Sequence, residues 1–383
     1  MVLLLLTMSL STHFKFEHAF IDLALDGKNY AQTAAADIDR DGKPELILGR
    51  QYGEIWWYDY VGPGKWERYL LGKESPSDVG ACAIDVDGDG WIDLVTGGAW
   101  YRNSRDRGKP FERIVFDETL TAVHDVVAAD LDGDGRAEII TMSDQNNLRS
   151  YRIPRDPAKP WERTDIGPAV HAGVAVGDID GDGDLDIVRS NVWFENARGD
   201  GSKWVEHEIG PTAATTGWEA FSTRAICRDI NRDGKLDIVM CDCEIRGAKI
   251  WWAENLDGKG LRWKRHELTP SDDAPRGAYH SLQMADFNGD GIEEIFTCEM
   301  EWVRGERNPR FFLWHNPDGR GQQWIEHVIL DANLGGHEAV IGDFDGDGRI
   351  DICSKPWAAV QENAVQGKLH VDFLLNVTPQ RKQ

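Results

Sequence analysis

The sequence predicts an all-β fold, a seven-bladed β-propeller of four-stranded blades, and three observations carry that expectation. A nine-residue acidic motif, D-x-[DN]-x-D-G-x-x-[DE], occurs seven times. The same succession of strand-like segments follows every copy, and the two ends of the chain hold complementary parts of one unit.

The copies begin at Asp37 (DIDRDGKPE), Asp85 (DVDGDGWID), Asp130 (DLDGDGRAE), Asp178 (DIDGDGDLD), Asp229 (DINRDGKLD), Asp286 (DFNGDGIEE) and Asp343 (DFDGDGRID). Their first residues lie 48, 45, 48, 51, 57 and 57 residues apart, the span of a blade of about 40 to 50 residues with insertions. In each unit a small-residue apolar strand, a, ends at the first Asp, and a β-branched strand, b, such as LILG or EIIT, follows the loop. An aromatic strand, c, such as IWWYDY or FFLWHN comes next, then an alternating strand, d, such as WERYLLG or WVEHEIG. Period-two alternation with β-branched and aromatic enrichment marks half-buried strands. The seventh unit stops after LHVDFLLN, its strand c, while FKFEHAFID near the N-terminus reads as a strand d without a blade. Pairing the two closes the ring and removes the open sheet edges. The propeller is therefore expected over residues 14–377, with 1–13 as a leader remnant or disordered start and 378–383 as a tail.

Oxygen ligands at loop positions 1, 3, 5 and 9, with Gly at 6 for the sharp turn, form the set a hard cation takes, and calcium is the expected ion. The sets are Asp37, Asp39, Asp41 and Glu45; Asp85, Asp87, Asp89 and Asp93; Asp130, Asp132, Asp134 and Glu138; and Asp178, Asp180, Asp182 and Asp186. The remaining three are Asp229, Asn231, Asp233 and Asp237; Asp286, Asn288, Asp290 and Glu294; and Asp343, Asp345, Asp347 and Asp351. Asn at position 3 keeps a carbonyl oxygen. The expected role is structural, since these loops join strand a to strand b.

The net charge of -24, from 66 acidic and 42 basic residues, argues against a nucleic-acid partner, because phosphate binding needs a basic surplus. Divalent cations are the better partners. Sixteen Trp and 40 Gly with 41% apolar residues suit a packed, turn-rich β globule rather than a disordered acidic chain. The six Cys lie in apolar runs without CxxC spacing, so they read as buried free thiols. MVLLLLTMSLS lacks a basic n-region and a small-residue cleavage site, which makes it a poor signal peptide. It is also too short to span a bilayer.

Ligand sites in propellers lie at the axial depression, here expected on the face opposite the acidic loops. Counting back six residues from each first Asp places His124, His280 and His337 at one equivalent position, with His171 one residue earlier in its own unit. These four should converge on one mouth, as general acids or bases or as ligands of a second divalent metal. Arg224, Tyr279 and Tyr30 start neighbouring a strands. Arg276, Trp218 and Glu219 come from d–a connections, and Arg50, Glu244, Glu299, Lys355 and Trp100 from the b–c side, as substrate-binding candidates. Trp193 and Trp357 are further stacking candidates, whereas the periodic Trp56, Trp57, Trp251 and Trp252 are expected between blades. A polar mouth with both signs of charge suits a carbohydrate or acidic sugar.

The repeats resemble the FG-GAP/VCBS propellers found in integrin α-chain heads and in microbial secreted proteins, over residues 14 to 377. WWAEN, WKRHEL and YHSLQMADFNGDG also resemble units of the aldos-2-ulose dehydratase propeller, and propeller polysaccharide lyases place His, Tyr and Arg in a similar cleft. The resemblance implies a secreted or periplasmic setting, while the free cysteines and the lack of a clear signal peptide leave a cytoplasmic one open. It further implies β-elimination on a uronic-acid glycan or keto-sugar, with His or Tyr as base and Arg224 or a metal on the enolate. The alternatives are a non-catalytic glycan- or protein-binding propeller, and a glycoside hydrolase using Glu244 and Glu299 at catalytic separation.

Overall fold

The structure, a computed structural model, describes residues 13–77, 79–212, 221–359 and 363–380. These form seven four-stranded antiparallel sheets and, among the described residues, no helix. Six sheets follow the chain order a-b-c-d. The seventh is assembled from both ends: Glu338–Gly342, Asp351–Lys355, Leu369–Asn376 and, as strand d, the N-terminal Phe16–Leu25, in register from Phe16 opposite Asn376. The seam continues one step further, because Lys15 N–H donates to Thr378 Oγ1 at 2.9 Å. The a strands pack side by side around the axis, with strand a of blade seven against that of blade one.

Apolar clusters fill the gaps between blades, because each twisted sheet hides one face against the next. Trp252 and Val239 of blade five pack with Leu282, Ile295 and Phe312 of blade six in one of them. Trp100, Trp193, Trp252 and Trp314 are fully buried in these clusters. Trp100 and Trp193 are 0% and 1% exposed, so neither presents a face to a ligand; their strands place them inside the wall, which corrects their reading as stacking residues. Of the six cysteines, five are buried and Cys82 is half-buried, all as free thiols. No helix is long and apolar enough to cross a membrane among the described residues.

The acidic loops share one geometry. The first Asp accepts the backbone N–H groups of positions 5 and 6, as Asp37 does from Asp41 and Gly42, both at 3.0 Å. The position 9 carboxylate accepts the position 2 N–H in every blade, from 2.7 Å at Glu45 to 3.2 Å at Asp351. Position 4 is left-handed, which suits Gly88 or Gly133 and strains Arg40 and Arg232, at φ 66° and 61°.

Candidate functional site

Every a strand starts at one pole and ends at its acidic loop, so the residues six before the loops gather at the opposite pole. In blades three and six the a–b pairing skips one residue, from Val123 to Asp125 and from Tyr279 to Ser281. The skipped residues are His124 and His280. A β-bulge re-aims a side chain, and here it turns both imidazoles inward at the mouth. His337 sits just before strand a of blade seven, and His171 in the connection before Val174–Gly177.

The four imidazoles converge. The rings of His124 and His171 lie 4.3 Å apart, those of His124 and His280 5.6 Å, and His337 stacks on His280 at 3.7 Å. Glu244, two residues past strand b of blade five, sits among them with Oε1 2.8 Å from His280 Nε2 and 3.3 Å from His171 Nε2. Three of the four Nδ1 atoms are held from behind. His124 Nδ1 is 3.2 Å from Asp125, His171 Nδ1 is 2.6 Å from Asp144, and His280 Nδ1 donates to the His337 carbonyl. The lone pair of a neutral imidazole is thereby aimed from Nε2 into the cluster. His124 Nε2 and His337 Nδ1 are buried without a hydrogen-bond partner.

Arg224 braces this group. It donates to Asp125 at 2.9 Å, to Glu338 at 2.5 Å and to the His280 carbonyl at 3.0 Å. Asp125, Arg224 and Glu338 also line an axial cavity of about 410 Å³. Burial would raise Asp125, but His124 and Arg224 outweigh it and hold the carboxyl well below its usual range. Burial with the neighbouring His171 pulls His124 down to about 3, so it is neutral. His171 goes the other way, to about 10, because its bonds to Asp144 and Glu244 overcome burial. Burial brings Lys355 down to about 7, against the pull of Glu338 and Glu301.

The ligand atoms of His124, Glu244 and His280 lie within 4.8 Å of one another, and imidazole nitrogen with one carboxylate is the donor set of a borderline divalent ion. The orphaned His124 Nε2 fits such an ion. Beside His337, Trp302 is 41% exposed, its ring 5.9 Å from that imidazole and 4.9 Å from Trp357. Trp302 escaped the sequence reading because the b–c insertion that carries it has no periodic signal.

Other expected residues stand apart. Tyr279 is 0% exposed inside the apolar cluster between blades five and six, and its hydroxyl has no hydrogen-bond partner. Tyr30 donates to the Asp26 carbonyl at 3.0 Å, and Arg50 binds Glu54 at 3.1 Å. Arg276 is buried against Glu326 at 2.8 Å, while Glu299 caps the N–H groups of Gly277 and Arg310 at 2.6 and 3.0 Å. Glu299 is thus committed to backbone, not facing Glu244 across a cleft. Trp218 and Glu219 lie outside the described residues.

A closed ring of seven four-stranded blades, each with an acidic a–b loop, and a histidine-rich pole define a repeat propeller. The chain belongs to the FG-GAP-like repeat family, whose model matches residues 37–96, 85–141, 130–188 and 229–297. It is 27% identical over 384 residues to cartilage acidic protein 1 of Homo sapiens and 24% identical over 400 residues to that of Mus musculus, covering 85% of this chain in both cases. The chain spans about half the length of these curated relatives, 55% and 57%. Among solved structures, an Agrocybe aegerita lectin, described as recognising non-reducing terminal N-acetylglucosamine, aligns with TM-score 0.55 at 16% identity over 93% of this chain and 87% of its own. BBS1N, solved in complex with ARL6DN, aligns with TM-score 0.57 at 10% identity over 97% of this chain and all of its own. Both likenesses are of fold.

Proposed function

We propose that the chain is a glycan-binding FG-GAP propeller whose recognition centre is the histidine pole, where His124, His280 and Glu244 hold a divalent transition-metal ion. One observation carries this reading: His280 Nε2 faces Glu244 Oε1 at 2.8 Å while its Nδ1 is committed to a carbonyl. Two lone pairs at that separation need a cation or a proton between them. When bound, the ion would draw sugar hydroxyl or carboxylate oxygens, and Trp302 with Trp357 offers the aromatic wall on which a pyranose ring stacks. The lectin neighbour, described as recognising a terminal sugar, accords with this reading. The acidic loops are read as calcium sites of structural role, best in blades four, five and seven. In the first three blades Arg107, Arg102 and Arg152 already lie against the position 3 carboxylates Asp39, Asp87 and Asp132.

The test is binding of a panel of immobilised glycans, uronic-acid and N-acetylglucosamine-terminated ones included, before and after chelation and metal restoration. Retention that depends on the transition metal, and falls about tenfold in Trp302→Ala (a loss of roughly 1.4 kcal/mol), is expected. Retention unaffected by both treatments would remove the pole from the account. A second reading, β-elimination, has one observation of its own: a buried Lys355 amine that titrates near neutrality. Unsaturated, ultraviolet-absorbing product from uronic-acid oligosaccharides would replace the binding reading with that one.

A further inference from the structure

A second histidine group lies at the other pole, on the acidic loop of blade six. In each blade one strand c residue faces the loop: Asp59, Arg102, Arg152, Glu195, Glu254, His315 and Leu375 in chain order, each following the partner of the strand b isoleucine or leucine. Only blade six places an imidazole there. In blades four and five the strand c carboxylate is bound by a strand d histidine, His207 to Glu195 and His266 to Glu254, both at 2.7 Å. His327 holds the equivalent strand d position in blade six, paired with Leu313 as His207 is with Trp193. Its neighbour is therefore another imidazole instead of a carboxylate, with the rings of His315 and His327 6.2 Å apart. His13, three residues before the seam-closing strand, adds a third ring, 5.4 Å from His327 and 6.4 Å from His315. Three imidazole rings thus gather over the acidic loop of blade six.

The loop itself is changed to match. The ligand atoms of Asp290, Glu294 and His315 fall within 4.8 Å of one another. Glu294 Oε1 meets His315 Nδ1 at 2.9 Å and accepts from Asn288 Nδ2 at 3.0 Å. Asn288 is 4% exposed, and its Oδ1, the loop's position 3 ligand atom, has no hydrogen-bond partner. Rotating that amide would aim its oxygen at the same centre, where only a cation could lie between it and Glu294. Calcium takes six to eight oxygens, while nitrogen-rich, four-coordinate sets suit zinc and its neighbours.

We propose that the sixth loop is a mixed nitrogen–oxygen site for a zinc-class ion, held by Glu294, His315 and Asp290 with Asn288, unlike the oxygen-only loops. The site lies beside the seam, where the His13 ring stands 6.4 Å from that of His315. It is independent of the histidine pole.

The experiment uses the full chain in a His280→Ala, Glu244→Gln background, which disables the pole, in calcium-saturated buffer. Co²⁺ is titrated while its visible absorption is followed, and zinc retained after dialysis is measured. About one ion per chain, with intense absorption characteristic of four-coordinate cobalt, is expected. His315→Leu copies Leu375 of blade seven, and should weaken binding by roughly 100-fold or more, since even outer partners of metal ligands are worth 10–100-fold. His315→Glu copies blades four and five and should exchange the zinc-class site for a calcium one. Equal zinc retention in parent and His315→Leu, or displacement of cobalt by millimolar calcium from the parent, would overturn the proposal.

Discussion

His124 and His280 are at bulges, and the skipped pairing is what separates them from ordinary strand residues. Their neighbour Tyr279 makes the converse case. It shares its position with other pole residues in sequence, yet the alternation of strand a sends it into the interblade core with an unbonded hydroxyl. Tyr279→Phe is therefore expected to leave glycan binding unchanged and to leave stability within about 1 kcal/mol of the parent, or slightly above, because a buried unpaired hydroxyl is a cost. Equilibrium urea unfolding with a binding assay checks both; loss of binding at unchanged stability would return Tyr279 to the site. The histidines were legible because the acidic loops act as a ruler that puts them in one register. The inward or outward facing of Tyr279, Trp100 and Glu299 was not, since a one-residue bulge inverts the alternation from which facing is inferred.

At the level of strands and loops, the Asn that ends strand c has a role its motif alone does not disclose. Asn103, Asn196, Asn255 and Asn376 each donate from Nδ2 to the position 2 carbonyl of the preceding blade's loop, at 2.7 to 2.9 Å. These are latches between blades. Asn255→Ala leaves the Ile179 carbonyl buried and unpaired, and should cost about 2 kcal/mol in denaturant unfolding. The seam strand has its own fastening: Asp372 accepts from His18 and His370, both at 2.7 Å, in the interior of blade seven. Burial would raise the Asp372 carboxyl, but the two imidazoles outweigh it and hold it below its ordinary value. A lowered folded pKa means stability that is complete above the unfolded value of about 3.9 and is lost as pH falls through and below it. Asp372→Asn should lower stability at pH 7 by about 3 kcal/mol and flatten the acid limb of the Tm–pH curve below pH 5. Strand order and seam were readable from FKFEHAFID and LHVDFLLN because alternation is local. The latches were not, because the Asn255 to Ile179 bond spans 76 residues.

On the scale of the whole molecule, a chain of net charge -24 closes into a ring that sets seven acidic loops on one pole, and the loops carry the resulting strain as displaced protonation. Burial first, then the neighbouring loop carboxylates, push the position 9 acids up: Asp186 to about 7, Asp237 to about 6 and Asp351 to about 8. The sign is opposite to that of Asp372. Between the unfolded value of about 3.9 and these folded values, the native state holds protons the unfolded state has released, so stability falls as pH rises through that window. On the proposed calcium reading, an ion bound in the loop would replace those protons and remove the penalty, so its stabilisation would grow over the same window and level off above about pH 8. The chelated protein should thus melt higher at pH 5.5 than at pH 8, whereas in saturating calcium the difference should largely vanish. Because all three also cap backbone N–H groups, Asp186→Asn, Asp237→Asn and Asp351→Asn should each lower the melting temperature in calcium, yet each should shrink the pH dependence of the chelated form. Scanning calorimetry at the two pH values, with and without calcium, reads all of these together. A calcium-induced shift of the same non-zero size at both would mean that calcium binds without displacing protons from the position 9 acids, and no shift at either would mean that the loops are held by their backbone hydrogen bonds alone.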